Sequence, residues 1–320
     1  KNWEEDDGTE YCTAKDDLAD ATNVCNDLKI KLHVANFSAE YWDNVFEHFL
    51  TEYQSGRTPN PDILCNKEIK FKEFYKHALA NNFDFIATGH YVNTDHKNLY
   101  KGLDVTKDQS YFLHAIDKDV LSQSLFPLGK VKKEKVREIA RSNNLITSEK
   151  KDSTGICFIG ERPFPEFIGS YLKGEPGNIV DEGGDVIGTH PGLVFYTLGQ
   201  RQGLGIGGIK GAADLPWYVA KKDLTNNELM CVQGNDHPLL FSNELSTKNL
   251  FLLDNKLPDS FDGTAKVRYR QRDQVCKIFI ENDKLKVVFK EPQRSVTPGQ
   301  SVVIYNKDKC LGGGEIKTIN

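Results

Sequence analysis

Residues 1–125 alternate between helical and strand-like patterns of apolar positions. Leu18, Ala21, Cys25 and Leu28 recur at helical spacing behind Thr13 and Asp16, placed as in a capping box. That pattern puts Cys25 in the core. Trp42, Val45, Phe46, Phe49, Leu50 and Tyr53 form a second stripe, opened by Ser38 and closed by Gly56. Phe71, Phe74, Tyr75 and Ala78 mark a third helix starting near Asn66. Cys65 would then sit at a helix N-terminus, where the dipole lowers a thiol pKa. Phe83–Thr88 reads as a buried strand that ends at Gly89-His90-Tyr91. The carboxyl ends of strands form the ligand crevice of an α/β sheet, and Gly89 would let a ligand approach the backbone there. A tight turn with a core-facing histidine is the other reading of the same residues.

From Pro163 to about Val232 glycines punctuate short apolar pieces, which predicts hairpins and loops instead of helices. Gly203-Leu-Gly-Ile-Gly-Gly208 has the glycines of a phosphate-binding turn but lacks a preceding strand and following helix. Beyond Asn235 the pattern is β: Ala265–Arg272, Val275–Glu281, Leu285–Lys290 and Gln300–Tyr305, with turns at Asn282-Asp283 and Pro298-Gly299. Cys231 and Cys276 fall at apolar strand positions and are expected to be structural. A run of short strands of this length predicts a small barrel, a shape that commonly holds nucleic acid. No internal repeat or low-complexity tract interrupts the chain.

The 320 residues suffice for two or three domains, and 38% hydrophobic with 27% charged residues is the balance of a soluble globular protein. No apolar run reaches the roughly 18–20 residues of a membrane span, and no signal peptide is visible. Seven cysteines without a CxxC or a Cys/His cluster at zinc spacing predict free thiols in the cytoplasm and no metal site. The chain starts at Lys1-Asn2-Trp3 without Met, so a preceding portion is expected.

A net charge of −5 disfavours bulk nucleic-acid affinity but leaves room for a local basic track. Lys130, Lys132, Lys133, Lys135, Arg137 and Arg141 surround a short helix, which reads as a solvated face. Lys266, Arg268, Arg270 and Arg272 alternate with Val267, Tyr269 and Gln271. On a strand these four cations would share one face. Acidic neighbours or a phosphate backbone would have to neutralise them.

Two cysteines carry the candidate chemistry. Cys65 lies in Thr58-Pro-Asn-Pro-Asp-Ile-Leu-Cys-Asn66, three positions after Asp62, and Pro59 and Pro61 stiffen the approach. This sets an acid/base beside a nucleophile. Cys157 lies in Asp152-Ser-Thr-Gly-Ile-Cys-Phe-Ile-Gly160, with Lys150 and Lys151 upstream to favour a thiolate. Two such thiols point to sulfur or redox chemistry.

The chain resembles the bacterial-type tRNA-specific 2-thiouridylases. The matching strings are Gly56-Arg-Thr-Pro-Asn-Pro-Asp62 with Cys65-Asn66, Ala87-Thr-Gly-His-Tyr91, Lys107-Asp-Gln-Ser-Tyr-Phe-Leu113 and Ser153-Thr-Gly-Ile-Cys-Phe-Ile-Gly160. Thr197-Leu-Gly-Gln-Arg-Gln-Gly-Leu-Gly205, Arg268-Tyr-Arg-Gln271, Pro298-Gly-Gln300 and Cys310-Leu-Gly-Gly-Gly314 continue the match in order. The resemblance implies an α/β fold in three parts. Residues 1–162 would be an adenine nucleotide alpha hydrolase-like (Rossmann-like, PP-loop) catalytic domain without its first βαβ unit. Residues 163–232 would be a small β-rich central tRNA-binding domain, and residues 233–320 a C-terminal β-barrel.

The same resemblance implies ATP-dependent 2-thiolation of the wobble uridine of tRNA. It makes Cys157 the persulfide carrier, Cys65 its partner in a disulfide and Asp62 the general acid/base. It places Asn60, Pro61 and Asp62 against the target base and Gly89 near the nucleotide. It assigns tRNA contacts to His90, Lys107, Asp108, Gln109, Arg268, Tyr269 and Gln300. ATP with Mg²⁺ and a persulfide-donor protein are the implied cofactors and partner. The family's Ser-Gly-Gly-x-Asp-Ser phosphate loop has no counterpart here, so the chain by itself is expected to be a poor catalyst. A thiol–disulfide oxidoreductase, a non-catalytic RNA-binding protein and a related ATP-pyrophosphatase are the rival readings. The basic β region, Asp62 beside Cys65, and the extent of the match weigh against them in turn.

Overall fold

A computed structural model describes residues 1–5, 14–150, 162–207, 214–254 and 257–320. Thr13 and Cys157, with the string around Cys157, lie outside the described residues, as does Gly208 of the glycine-rich turn. Among the described residues no helix is long and apolar enough to cross a membrane.

The helical stripe of residues 42–53 folds as expected. Ser38–Tyr41, a wider π-wound stretch Trp42–Phe46 and Glu47–Gln54 follow one another, and Gly56 ends the run at φ +72°. Val45, Phe46, Phe49 and Tyr53 are buried in an aromatic cluster with Trp3, Phe164, Phe167 and Tyr171. Phe164–Gly169 is a short helix, so this cluster ties the first helical layer to the start of the central region.

Two sequence expectations fail nearby. Ala14–Asp27 is helical but buries no residue, and Leu18 and Leu28 are exposed while Cys25 is half-buried. Periodicity identifies a helix; burial needs a facing partner, which the described residues do not supply. The strand expected over Phe83–Thr88 is only β1 (Ile86–Ala87), with Phe83 and Phe85 exposed and Ile86 alone of the three in the core.

The hairpin β2 (Val92–Thr94) and β3 (Leu99–Lys101) follows, then β4 (Ser124–Leu125), which lies parallel to β1. The central region is a four-stranded sheet of β5 (Gly177–Val180), β6 (Val186–His190), β7 (Trp217–Asp223) and β8 (Glu228–Gln233), ordered β6-β5-β8-β7. Its core includes Ile179, Val219, Leu229 and the buried Cys231.

The C-terminal strands are β9 (Phe241–Thr247), β10 (Phe251–Leu252), β11 (Ser260–Lys266), β12 (Gln274–Glu281), β13 (Lys284–Arg294), β14 (Ser301–Asn306) and β15 (Lys309–Ile319). Strands β14-β11-β12-β13-β9-β15 are hydrogen-bonded in sequence, and a β14–β15 pairing closes them into a six-stranded barrel. Asn282 and Asp283, both at positive φ, make the tight β12–β13 turn. Inward positions Cys276, Ile278, Val287 and Ile304 fill the interior. The β2–β3 hairpin pairs with the edge of β15, so the barrel sheet extends into the N-terminal region. Tyr111 strengthens this joint, donating its buried hydroxyl to the Ser301 carbonyl at 2.8 Å.

Phe46 is fully buried with ring centroids 4.8 Å from both Trp3 and Tyr171. Phe46→Ala should cost about 3–5 kcal/mol. Denaturant unfolding checks this, and a loss under about 1 kcal/mol would show that the cluster is not a supporting core.

Candidate active site

Asn60 starts the helix that carries Asp62 and Cys65. Its side chain accepts the Asp62 backbone N–H at 3.2 Å, and Pro61 stands at the first helical position, where its missing N–H costs nothing. The helix runs through Pro61–Leu64, a π-wound Cys65–Glu73 and Phe74–Ala80. It begins five residues before the expected start at Asn66, which corrects the place of Cys65. That residue lies beyond the first turn, where the dipole effect has fallen off. It is buried in the aromatic cluster with Tyr41, Val45, Phe46, Ile69 and Phe167.

The wide winding affects which side chains share a face. In an i→i+5 helix, residues four to five apart lie roughly in line, and such stretches recur at functional sites. Asp62, Asn66 and Lys70 follow this spacing. Burial pushes the Asp62 carboxyl above its ordinary range, and the Lys70 charge partly opposes that rise. A carboxyl so raised takes up a proton more readily than an exposed one. Asn66 is buried, and its Oδ1 has no hydrogen-bond partner among the described residues. The sequence does not single out Lys70, and it marks Asn66 only as part of the Cys65-Asn66 string and as the expected helix start. A four-residue spacing from Asp62 would have been the signal, had the helix start been placed at Asn60.

His90 faces the same helix. It is buried against Phe71 and Phe126, and its Nδ1 lies 2.9 Å from Thr88 Oγ1. Burial, helped by the Lys70 charge, lowers its pKa to about 3. It is therefore a neutral imidazole. Gly89 is exposed, and a Cβ there would meet only Leu128 at an ordinary 3.9 Å, so its backbone faces open space after β1.

The expected tRNA-contact residues come together from two ends of the chain. Asp108 is buried, and its carboxylate accepts from the N–H groups of Gly102 and Ser110 and from the Ser110 hydroxyl, with Lys266 Nζ at 3.5 Å. That carboxylate is bonded to internal partners and holds residues 107–110 in place. Gln109 accepts the Tyr91 N–H at 2.9 Å. Lys107 is half-exposed beside them. Tyr269 packs on Phe112 at 4.4 Å between centroids, which brings the 268–272 turn against residues 110–113.

The basic strand is corrected too. β11 ends at Lys266, and residues 267–273 form a bend and turn. Lys266 points inward to Asp108 and Asp273. Arg268, Arg270 and Arg272 are exposed on the turn, and Arg268 donates to the Ser295 carbonyl at 2.9 Å. Three cations on a turn, not four on a strand face, make the patch. On the helix Lys133–Ser142, Lys135 and Arg141 pair with Glu138 and Glu149 at the surface, in line with a solvated face.

A group of acids and a histidine lies behind the loop. His48, Glu52 and Glu315 offer ligand atoms within 4.8 Å of one another. Arg57 already binds Glu52 through two hydrogen bonds of 2.6 and 2.8 Å, and Lys248 reaches Glu52 at 3.1 Å and Glu315 at 2.5 Å. Two cations already neutralise the two carboxylates, so the group is an ion-pair network.

Three family models match in order: the tRNA methyl transferase HUP domain over residues 1–161, the tRNA methyl transferase PRC-barrel domain over 165–233 and the aminomethyltransferase beta-barrel domain over 242–316. The tRNA-specific 2-thiouridylase MnmA of Stutzerimonas stutzeri (strain A1501) is 59% identical over 322 residues, covering 99% of this chain and 86% of that protein. The chain belongs to the tRNA-specific 2-thiouridylase family. The proteins of the same name from Hahella chejuensis and Pseudomonas aeruginosa are each 58% identical, covering 89% and 86% of their own lengths. An α/β HUP-type region, a small β-rich middle and a closed β-barrel are the parts of this thiouridylase-family chain.

The His90 assignment has a pH signature. Its folded pKa lies below the unfolded value of ~6.5, so the unfolded chain takes the proton first. The stability it contributes is present above that value and is lost as pH falls toward 3. Nuclear magnetic resonance should find the His90 ring neutral from about pH 8 to 5, and a midpoint near 6.5 would contradict its burial.

Proposed function

We propose that this protein catalyses ATP-dependent 2-thiolation of the wobble uridine of tRNA, taking sulfur from a cysteine persulfide. The single observation that carries this reading is the similarity of the whole chain to 2-thiouridylases, with Asn60, Asp62 and Cys65 on one capped helix. Asn60, Pro61 and Asp62 receive the target base, which must leave its stack to arrive. Bound ATP would supply an adenylyl group for the C2 oxygen of uracil, with pyrophosphate released and Mg²⁺ balancing the phosphate charge, so that this oxygen could leave as part of AMP. The exposed Gly89 backbone at the end of β1 fits a nucleotide lying close to the chain.

The protein's own residues then move the sulfur. The terminal sulfur of a Cys157 persulfide attacks C2, and its proton passes to Asp62, whose raised pKa suits it to accept one. The base is then joined to Cys157 through a disulfide. Cys65 thiolate attacks the Cys157 sulfur, breaking that bond and releasing the 2-thio base. A Cys65–Cys157 disulfide remains, and an external dithiol returns two electrons to open it. A persulfide-carrying donor protein recharges Cys157, and the reduced thiols this cycle requires suit the cytoplasm.

His90, Lys107, Asp108, Gln109, Arg268, Tyr269 and Gln300 hold the tRNA. The neutral His90 acts as a hydrogen-bonding group, and the three exposed arginines supply the charge for phosphates. Asp108 contributes by bracing residues 107–110 from within.

Cys157→Ser in the complete protein should abolish 2-thiouridine formation and leave tRNA affinity intact; undiminished product would overturn the scheme. Arg268→Ala and Arg270→Ala should each weaken tRNA binding and flatten its salt dependence by about one phosphate. Filter binding across a salt series reads this, and an unchanged slope would remove the turn from the interface.

A further inference from the structure

We propose that Pro298-Gly299-Gln300 of the barrel is a clamp that sets the position of the Asn60-Pro61-Asp62 loop, with Gln300 as a positioning residue. The inference rests on the reading of residues 60–62 as the base-binding loop. Gln300 Nε2 donates to the Thr58 carbonyl at 2.7 Å and to the Pro59 carbonyl at 3.2 Å. The Thr58 N–H donates in return to the Pro298 carbonyl at 2.9 Å. Gly299 lies flat on Thr58 at φ +93°, where a Cβ would stand 2.9 Å from the Thr58 backbone nitrogen and carbon.

These contacts end one residue before the Asn60 cap. Thr58 and Pro59 are buried, so carbonyls released by Gln300 would be left without a donor. The clamp itself is fixed to the barrel: Gly299 N–H donates to the Ile316 carbonyl, and Ile316 N–H to the Gln300 carbonyl. The central region reaches the same segment through Lys222 Nζ of β7 on the Gly56 carbonyl at 3.1 Å and Thr197 Oγ1 on Thr58 Oγ1 at 3.2 Å. Whatever moves the barrel against the helical layer therefore moves the base-binding loop. A barrel holding tRNA and a loop receiving its base are thereby mechanically one piece.

The test uses the complete protein with Gln300→Ala, Gln300→Glu and Gly299→Ala. Gln300→Glu keeps the size but turns an acceptor toward two carbonyls, so it should be more harmful than Gln300→Ala. Hydrogen exchange over residues 57–66 should speed up about tenfold or more in each variant. In Gly299→Ala the kcat for sulfur transfer should fall about tenfold, with the tRNA Kd changed less than about threefold. Unchanged exchange would overturn the clamp, as would faster exchange with unaltered kcat. In Gly299→Ala, which leaves the Gln300 side chain in place, a Kd that weakens by the same factor as kcat/KM falls would put the effect in tRNA binding and also overturn it. Asp62→Asn, run alongside, tests the underlying reading separately: full sulfur transfer in that variant removes the role of the loop, whatever the exchange result.

Discussion

Residues 56–59 are held from three directions, and the site depends on that constraint. They follow a helix whose end is fixed by Gly56 and by the Arg57–Glu52 ion pair. They precede a helix whose start is fixed by Asn60 and Pro61. Between these anchors the backbone polar groups of Thr58 and Pro59 are satisfied by the barrel, and the Gly56 carbonyl by the central sheet. A buried segment of irregular chain must find such partners or lose stability. Here the partners belong to distant parts of the sequence, so satisfying the backbone also fixes how the three regions meet.

The electrostatics of the site follow from burial against one helix. Asp62 and His90 are both pushed toward their neutral forms by desolvation. Lys70 acts on both in the sense expected of a nearby cation: it holds Asp62 toward ionisation and keeps His90 deprotonated. One lysine thus favours a carboxylate and a neutral imidazole together, a combination suited to accepting a proton while offering a hydrogen bond.

Much of this was legible in the sequence where one physical cause dominated. The residue 42–53 stripe was readable because its aromatic residues have a single core to enter. The barrel strands around Cys276 and Ile278 were readable because interior and exterior alternate with period two. The motif strings single out Asp62 and Cys65, and one capped helix carries both. The errors have causes as specific. Residues 265–272 alternate charge with apolar or polar side chains, yet Lys266 is drawn inward by Asp108, a partner more than 150 positions away that local pattern cannot register. The apolar stripe of the Cys65 helix begins late and points to a start near Asn66, whereas the cap is set by Asn60 and Pro61. Asp108 and Gln300 belong to recognisable motifs, but their hydrogen bonds to the protein itself depend on tertiary contacts.

The central claim is that sulfur passes from Cys157 to the base and that Cys65 releases it. Mass spectrometry of the complete protein after a single turnover, with a persulfide donor, ATP and tRNA but no reductant, tests it directly. The account predicts a Cys65–Cys157 disulfide in one-to-one amount with 2-thiouridine, and none when tRNA is left out. Formation of 2-thiouridine with both cysteines still reduced would contradict it.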